Sequence, residues 1–251
     1  MLLCAIMFSF FFRVSNLISR FRAKKISTMG NNASSSSVRK ENEDDLEYNV
    51  RRALERKDWK EVRRLLKQNL GPLREDLMDS IELFSNDNYL HVAAHLGHCG
   101  LVRLLIKHGC DVNAVTQSTH HTALHEAAYY GHVDIASILV QNGADIDAVD
   151  EDKATSLLWT AQRGHVDFVK FLIQNGADVN VVNSHKWSAL HFATTQGHLE
   201  VVKVLILNGA DVDTANETNG IKNWTSLHYA ATAGRVEILK LLIQIGADVN
   251  A

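Results

Sequence analysis

The chain has 251 residues, 46% hydrophobic and 22% charged, the balance of a folded globular protein rather than of a fibrous or membrane-embedded one. Its formal net charge is -3, but from residue 88 onward ten Lys or Arg face sixteen Asp or Glu, an acidic surface that repels phosphate backbones and argues against a nucleic-acid partner. Three cysteines without C-x-x-C spacing suggest neither a disulfide framework nor a zinc site and fit a reducing compartment, so a cytoplasmic location is expected.

Met1 to Phe12 is apolar but is ended by Arg13, short of the about 20 residues a bilayer span needs. It lacks a basic leading region and a small-residue cleavage site, so it does not read as a secretory signal. Residues 1–40 carry seven basic side chains and no acid, a bias that would keep the rest of the chain cytoplasmic if the run touched a membrane. Met29-Gly30-Asn31-Asn32-Ala33-Ser34 fits the M-G-x-x-x-[ST] pattern for myristoylation of Gly30, and so for membrane contact through the N-terminus, if translation starts at Met29; otherwise the match is coincidence. Residues 1–45 are therefore read as an apolar and basic segment followed by a disordered linker around Ser34 to Ser37.

Residues 46–83 hold a divergent unit. Ala53, Asp58, Val62, Leu65 and Leu66 match Ala93, His98, Val102, Leu105 and Ile106 at an offset of 40, with Arg51, Arg52, Arg56, Arg63 and Arg64 among them. Such charge suits the polar end unit that a stacked array needs. A linker at Gly71-Pro72 and an amphipathic stretch from Leu77 to Phe84 follow.

From residue 84 the sequence repeats itself. Asn88-Tyr89-Leu90-His91, Thr122-Ala123-Leu124-His125, Thr155-Ser156-Leu157-Leu158, Ser188-Ala189-Leu190-His191 and Thr225-Ser226-Leu227-His228 are copies, their leucines 34, 33, 33 and 37 residues apart. Each opens with a side-chain oxygen that can accept from the free N–H groups of a helix start. A glycine seven residues after each leucine, as in Gly131 and Gly164, ends a short helix, and a second glycine nineteen after it, as in Gly143 and Gly176, ends another. Between the two lies an almost wholly apolar stretch such as Val201-Val202-Lys203-Val204-Leu205-Ile206, which reads as a helix buried between neighbours. Two residues past the second glycine stands Asp111, Asp145, Asp178, Asp211 or Asp248, opening a turn. One such unit cannot cover its own apolar sides; stacking does.

The period, the opening T-x-L-H-x-A-A-x-x-G-H and the closing L-L-I-x-x-G-A-D-V-N resemble the ankyrin-repeat family, strongly over residues 84–251. The family's Pro after the capping residue is replaced by Tyr89, Ala123, Ser156, Ala189 and Ser226, and the third copy has Leu158 in place of His. The resemblance implies an all-α ankyrin-repeat solenoid of stacked helix-turn-helix units with projecting β-turn or hairpin fingers, its repeats at about 88–114, 122–148, 155–181, 188–214 and 225–251. It also implies a monomeric protein-interaction array, an adaptor or scaffold, without catalysis. A second reading is the substrate-recognition or regulatory region of a longer enzyme, such as a ubiquitin ligase or kinase. Because the chain stops at Val249-Asn250-Ala251 with no polar capping unit, truncation or association there is expected, with Ile238, Leu242 and Ile245 partly bare.

The repeats absorb the tempting chemistry. His91, His125, His191 and His228 are one repeat position, and His98, His132, His165 and His198 another, so their spacing reflects packing rather than a metal site. Ser, His and Asp recur for capping and turn reasons, and no unique triad stands out. No cofactor is expected. In the ankyrin family, partner contacts come from the fingers and the exposed ends of the first helices, which line a concave groove. On this chain those positions include His95, His121, Tyr129, Tyr130, Asp152, Arg163, His185, Trp187, Lys222 and Trp224. Tyr129, Tyr130, Trp187 and Trp224 lead, since aromatic groups dominate binding hot spots; for the tryptophans the competing reading is turn-to-turn packing. Four extra residues before Leu227 make the fifth finger longer.

Overall fold

The computed structural model describes residues 35–56, 58–69, 88–218 and 221–250. The apolar N-terminal run, the pattern around Gly30, Gly71-Pro72, the stretch from Leu77 to Phe84, Ser85 and Asp87 lie outside the described residues, as do the side chains of Ile221 and Lys222. The chain divides into two compact units, Met1–Leu46 and Glu47–Ala251, the second holding all the repeats.

Helix α1, Ser35–Glu55, starts earlier than the sequence suggests, so the residues up to Asp45 are helical rather than a disordered linker. Past the serines the segment consists largely of Arg, Lys, Glu and Leu, which are strong helix formers, and Arg51 donates to Glu47 at 2.8 Å one turn away. After α1 comes α2, Trp59–Asn69, and the offset of 40 holds in their hydrogen bonds. Asp58 N–H donates to the Ala53 carbonyl at 2.9 Å as His98 N–H does to Ala93 at 3.1 Å. The Asp58 carboxylate accepts from Glu61 N–H, and His98 Nδ1 accepts from Leu101 N–H, each at 3.1 Å. Aspartate thus replaces histidine as the cap of the second helix.

Five helix pairs follow: α3 Asn88–Leu96 with α4 Cys99–Lys107, α5 Ala123–Tyr130 with α6 Val133–Gln141, α7 Ser156–Arg163 with α8 Val166–Gln174, α9 Ala189–Gln196 with α10 Leu199–Leu207, and α11 Ser226–Thr232 with α12 Val236–Gln244. The first helices α3, α5, α7, α9 and α11 form one row and the second helices the other. Leu90, Leu124, Leu157 and Leu190 are buried under the first row, and Leu105, Leu139, Leu172, Leu205 and Leu242 under the second. Each contributes on the order of 2 kcal/mol by leaving water. Alanine pairs such as Ala127-Ala128 are fully buried and let neighbouring first helices pack closely.

Ile238 and Leu242, expected partly bare, are buried, because α10 and α12 pack together from the preceding repeat's side. Ile245 is exposed, as expected, together with Ile243 and Val249. Its neighbours in the repeat position explain the difference in residue type. Asn142, Asn175 and Asn208 donate from Nδ2 to the carbonyls of Ile138, Phe171 and Val204 at 2.7, 2.8 and 2.7 Å and so close the ends of α6, α8 and α10. An isoleucine cannot.

Three sets of hydrogen bonds fasten each repeat to the next. In the first, Thr122 N–H donates to His125 Nδ1 at 3.1 Å, so the ring carries its proton on Nε2 and donates it to the Ala154 carbonyl of the next repeat at 3.1 Å. His191 repeats this with Ser188 and the Trp224 carbonyl, and His91 reaches the His121 carbonyl at 2.8 Å. Burial, foremost, pushes the His125 and His191 rings down to about 4, so both stay neutral. The third repeat cannot make this bond. Leu158 stands there, and the hydroxyl of Thr155, fully buried, has no hydrogen-bond partner.

In the second set, His165 and His198 donate from Nε2 back to the carbonyls of Tyr129 and Gln162 at 3.2 and 3.1 Å. In the third, Asn113 and Asn180 donate to the carbonyls of Gly143 and Gly209 and accept from the backbone N–H of Asp145 and Asp211, all between 2.8 and 3.1 Å. Asp147 and Asp213 occupy the same place and can only accept, from Asp178 and Asp248.

Candidate protein-binding groove

The candidate surface comprises the first helices and the fingers beside them. Each of the second, third and fourth fingers turns through one left-handed residue, His120, Lys153 or Lys186, with φ of 55, 59 and 58 degrees. A polar side chain at the base holds each turn. Asp150 accepts from the N–H groups of Asp152 and Ala154, Asn183 from those of His185 and Trp187, and Thr116 from that of His121. Neighbouring fingers are tied by Glu151 N–H to the Thr119 carbonyl at 3.1 Å and Ser184 N–H to the Asp152 carbonyl at 2.7 Å. The extra residues before Leu227 build a hairpin, β1 Asn216–Thr218 and β2 Ile221–Trp224, with a bulge between Asn216 and Glu217.

Two clusters of aromatic side chains lie along this face. In the first, Tyr129 and Tyr130, at the end of α5, meet edge to face at 4.9 Å, and Tyr129 lies 5.6 Å from Trp159 of α7. The Arg163 guanidinium sits 3.6 Å over the Tyr129 ring. His95 of α3 meets Tyr130 at 4.5 Å, and His121 meets Trp159 at 5.3 Å. Two acids lie beneath. Glu126, with its side chain 1% exposed, stands 3.6 Å from His95 Nδ1 and 3.4 Å from His121 Nδ1. Asp150, 5% exposed, is 3.8 Å from His121 Nε2 and accepts from Trp159 Nε1 at 3.0 Å. Alternating imidazoles and carboxylates thus run across three repeats.

In the second cluster Tyr229 of α11 is the hub. Trp187 and Trp224, from successive fingers, lie 4.8 and 5.2 Å from its ring, and its hydroxyl accepts from buried Asn216 at 2.7 Å. Trp187 also packs on Phe192 at 5.0 Å. Both tryptophans are half-buried, and the rings they meet, Phe192, His191, His228 and Tyr229, belong to first helices, so they pack finger against helix.

The structure therefore brings His121, Tyr129, Tyr130 and Arg163 together and sets Trp187 and Trp224 in a separate group. Asp152 and His185 are exposed on finger tips and join neither. Sequence reasoning missed Glu126, Trp159, Phe192 and Tyr229. These share one repeat position with Val92, the residue after His91, His125, Leu158, His191 or His228, which lies between fixed neighbours and changes in every copy. That variation was the available signal.

The family model for ankyrin repeats (3 copies) matches residues 52–150 and again 157–251. The chain belongs to the ankyrin-repeat family. The match starts inside α1, so it takes in the charged unit around Asp58 as well as the regular ankyrin repeats. A search of curated proteins finds no match to the chain. Ankyrin repeats are in general protein–protein interaction modules. Among the described residues no helix of this ankyrin array is long and apolar enough to cross a membrane, and no group of three or more His, Cys, Asp or Glu is placed to hold a metal ion.

Proposed function

We propose that the chain is a non-enzymatic adaptor or scaffold that binds a protein segment in the groove of its ankyrin array, chiefly across the second and third repeats. The observation that carries this reading is the half-buried aromatic row of Tyr130, Tyr129 and Trp159, with Arg163 on its edge, set on rigid first helices rather than on loops. Aromatic side chains and arginine are the groups that most often dominate binding energy, and rigid placement lowers the ordering cost of binding. His121 belongs to the same surface; Trp187, Trp224, His185, Asp152 and Lys222 would extend it along the fingers.

The test is a selection of displayed random peptides on the full chain, followed by affinity measurements with Tyr130→Ala and Arg163→Ala. Binders should lose about tenfold or more in affinity, as for hot-spot residues, while thermal melting stays within a few degrees. Enriched peptides that bind both variants unchanged would remove the groove from consideration.

We further propose a cytoplasmic location, supported by three cysteines that show no C-x-x-C spacing. Membrane contact would follow if Gly30 is acylated, and mass spectrometry of the mature N-terminus decides it.

A further inference from the structure

We propose that the groove over the first three repeats receives a cationic side chain, an arginine or lysine of an extended protein segment, against the aromatic row of Tyr129, Tyr130 and Trp159. This rests on the groove being the binding surface, and it specifies the chemistry of the occupant.

Three independent observations point to a cation. First, the floor holds two nearly buried carboxylates, Glu126 and Asp150, whose charge is felt strongly because little water screens it. Second, the chain provides its own example of the contact: the Arg163 guanidinium already lies 3.6 Å over the face of Tyr129. A planar cation on an aromatic face is attracted by the ring quadrupole, more so where water is excluded. Third, the rim adds charge of the same sign as the floor. Glu151 and Asp152 are exposed on the adjoining finger, outside the cluster itself, so the cluster and that finger together hold four acids and two permanent cations, Lys153 and Arg163. His95 and His121 separate Glu126 and Asp150 from the surface, with side chains only 15% and 12% exposed, so the carboxylates act through the field rather than by direct contact.

Neutral and acidic segments fit the site less well. An acidic segment faces the exposed Glu151 and Asp152 and the field of the buried Glu126 and Asp150. An aliphatic one gains area on the rings but adds no electrostatic attraction to the floor.

The experiment uses the full chain and two displayed peptide libraries, identical except that one excludes arginine and lysine. Enriched peptides are resynthesised with citrulline for arginine and norleucine for lysine, which remove the charge and keep the length. The proposal expects enrichment from the library containing Arg and Lys, and about tenfold weaker binding for the neutral versions. It also expects weakening by Glu126→Gln and by Tyr129→Leu, and affinity that falls as salt rises. Tyr129→Leu keeps the test decisive if Glu126→Gln disturbs the fold. Peptides whose neutral versions bind equally well, yet which Tyr129→Leu removes, would overturn the cation while leaving the groove as the binding surface. Peptides indifferent to every groove substitution, or no enrichment from either library, would overturn both.

Discussion

Arg235 donates from Nε and Nη2 to the carbonyl oxygen of Thr195, at 3.2 and 3.0 Å. It does in the fifth repeat what His165 and His198 do with a single ring nitrogen in the third and fourth. The carbonyl lies at the end of α9, where a helix leaves its last acceptors unpaired, so a donor from the next repeat is needed there whatever its chemistry. Arg235→Ala should cost about 1 to 3 kcal/mol in urea unfolding, since a partly buried acceptor is left without its partner. Arg235→His should lose less than half of that. Equal losses for the two would mean that the guanidinium stem, not the hydrogen bond, is what matters.

The buried rings give the array a pH dependence whose sign follows from their titration. An unfolded imidazole titrates near its ordinary 6.5, whereas burial holds His125 and His191 at about 4. Between those values the unfolded chain binds the extra protons. Their contribution is therefore complete above about pH 6.5 and is lost as pH falls toward 4, at roughly 1 kcal/mol per pH unit for each ring. Urea titrations at a series of pH values should show the decline, and His125→Leu should flatten it. A slope that His125→Leu leaves unaltered would show that these rings do not carry it.

Thr122 and Thr155 occupy the same repeat position with opposite fortunes. The Thr122 hydroxyl lies 2.9 Å from His125 Nδ1, while the Thr155 hydroxyl has no hydrogen-bond partner because Leu158 offers none. Thr122→Val should therefore destabilise by about 1 kcal/mol, and Thr155→Val should be neutral or stabilising by a similar amount. Differential scanning calorimetry of the two variants checks this, and a loss at Thr155 as large as at Thr122 would contradict it.

Gly164 and Gly176 both have positive φ, 77 and 95 degrees, but only one is crowded. A Cβ on Gly164 would lie 2.6 Å from the His198 ring, whereas one on Gly176 meets nothing within 4 Å. Gly176→Ala should cost about 1 kcal/mol from the left-handed backbone alone. Gly164→Ala should cost clearly more, because it also displaces the ring that bonds to the Gln162 carbonyl. Chemical denaturation compares them directly, and similar losses would show that conformation alone accounts for both.

Much of the fold was legible because its determinants are local and repeated. A capping oxygen, an apolar stretch and a glycine three turns apart specify a helix wherever they occur, and five copies in one order leave stacking as the way to cover their apolar faces. Even the divergent unit was readable, since Asp58 and His98 perform one capping task with different side chains. The helix back to Ser35 was less so. Ser34 to Ser37 read as a linker, but helix extends back to Ser35 from the charged segment behind.

The candidate site was legible only in part. Tyr129, Tyr130 and Arg163 could be found because they stand at helix ends that the repeat pattern leaves free. Trp159 and Tyr229 stand inside the repeat signature, one residue past the histidine position, and there the same spacing that marks a core helix also turns a side chain toward the groove.

What the sequence by itself determined is the repeat: which residues cap, which are buried and where each helix stops, because those depend on neighbours a few positions away. What only the tertiary structure decided is which residues about 30 or more positions apart share a surface. The ring of His121 stands between Glu126 of its own repeat and Asp150 of the next, and Trp187 packs on Tyr229, because stacking sets the finger of one repeat beside the finger or first helix of the next. No periodicity along the chain states which of those neighbouring side chains will be acidic, aromatic or cationic at once; that follows from the contents of each copy and the stacking that brings the copies together.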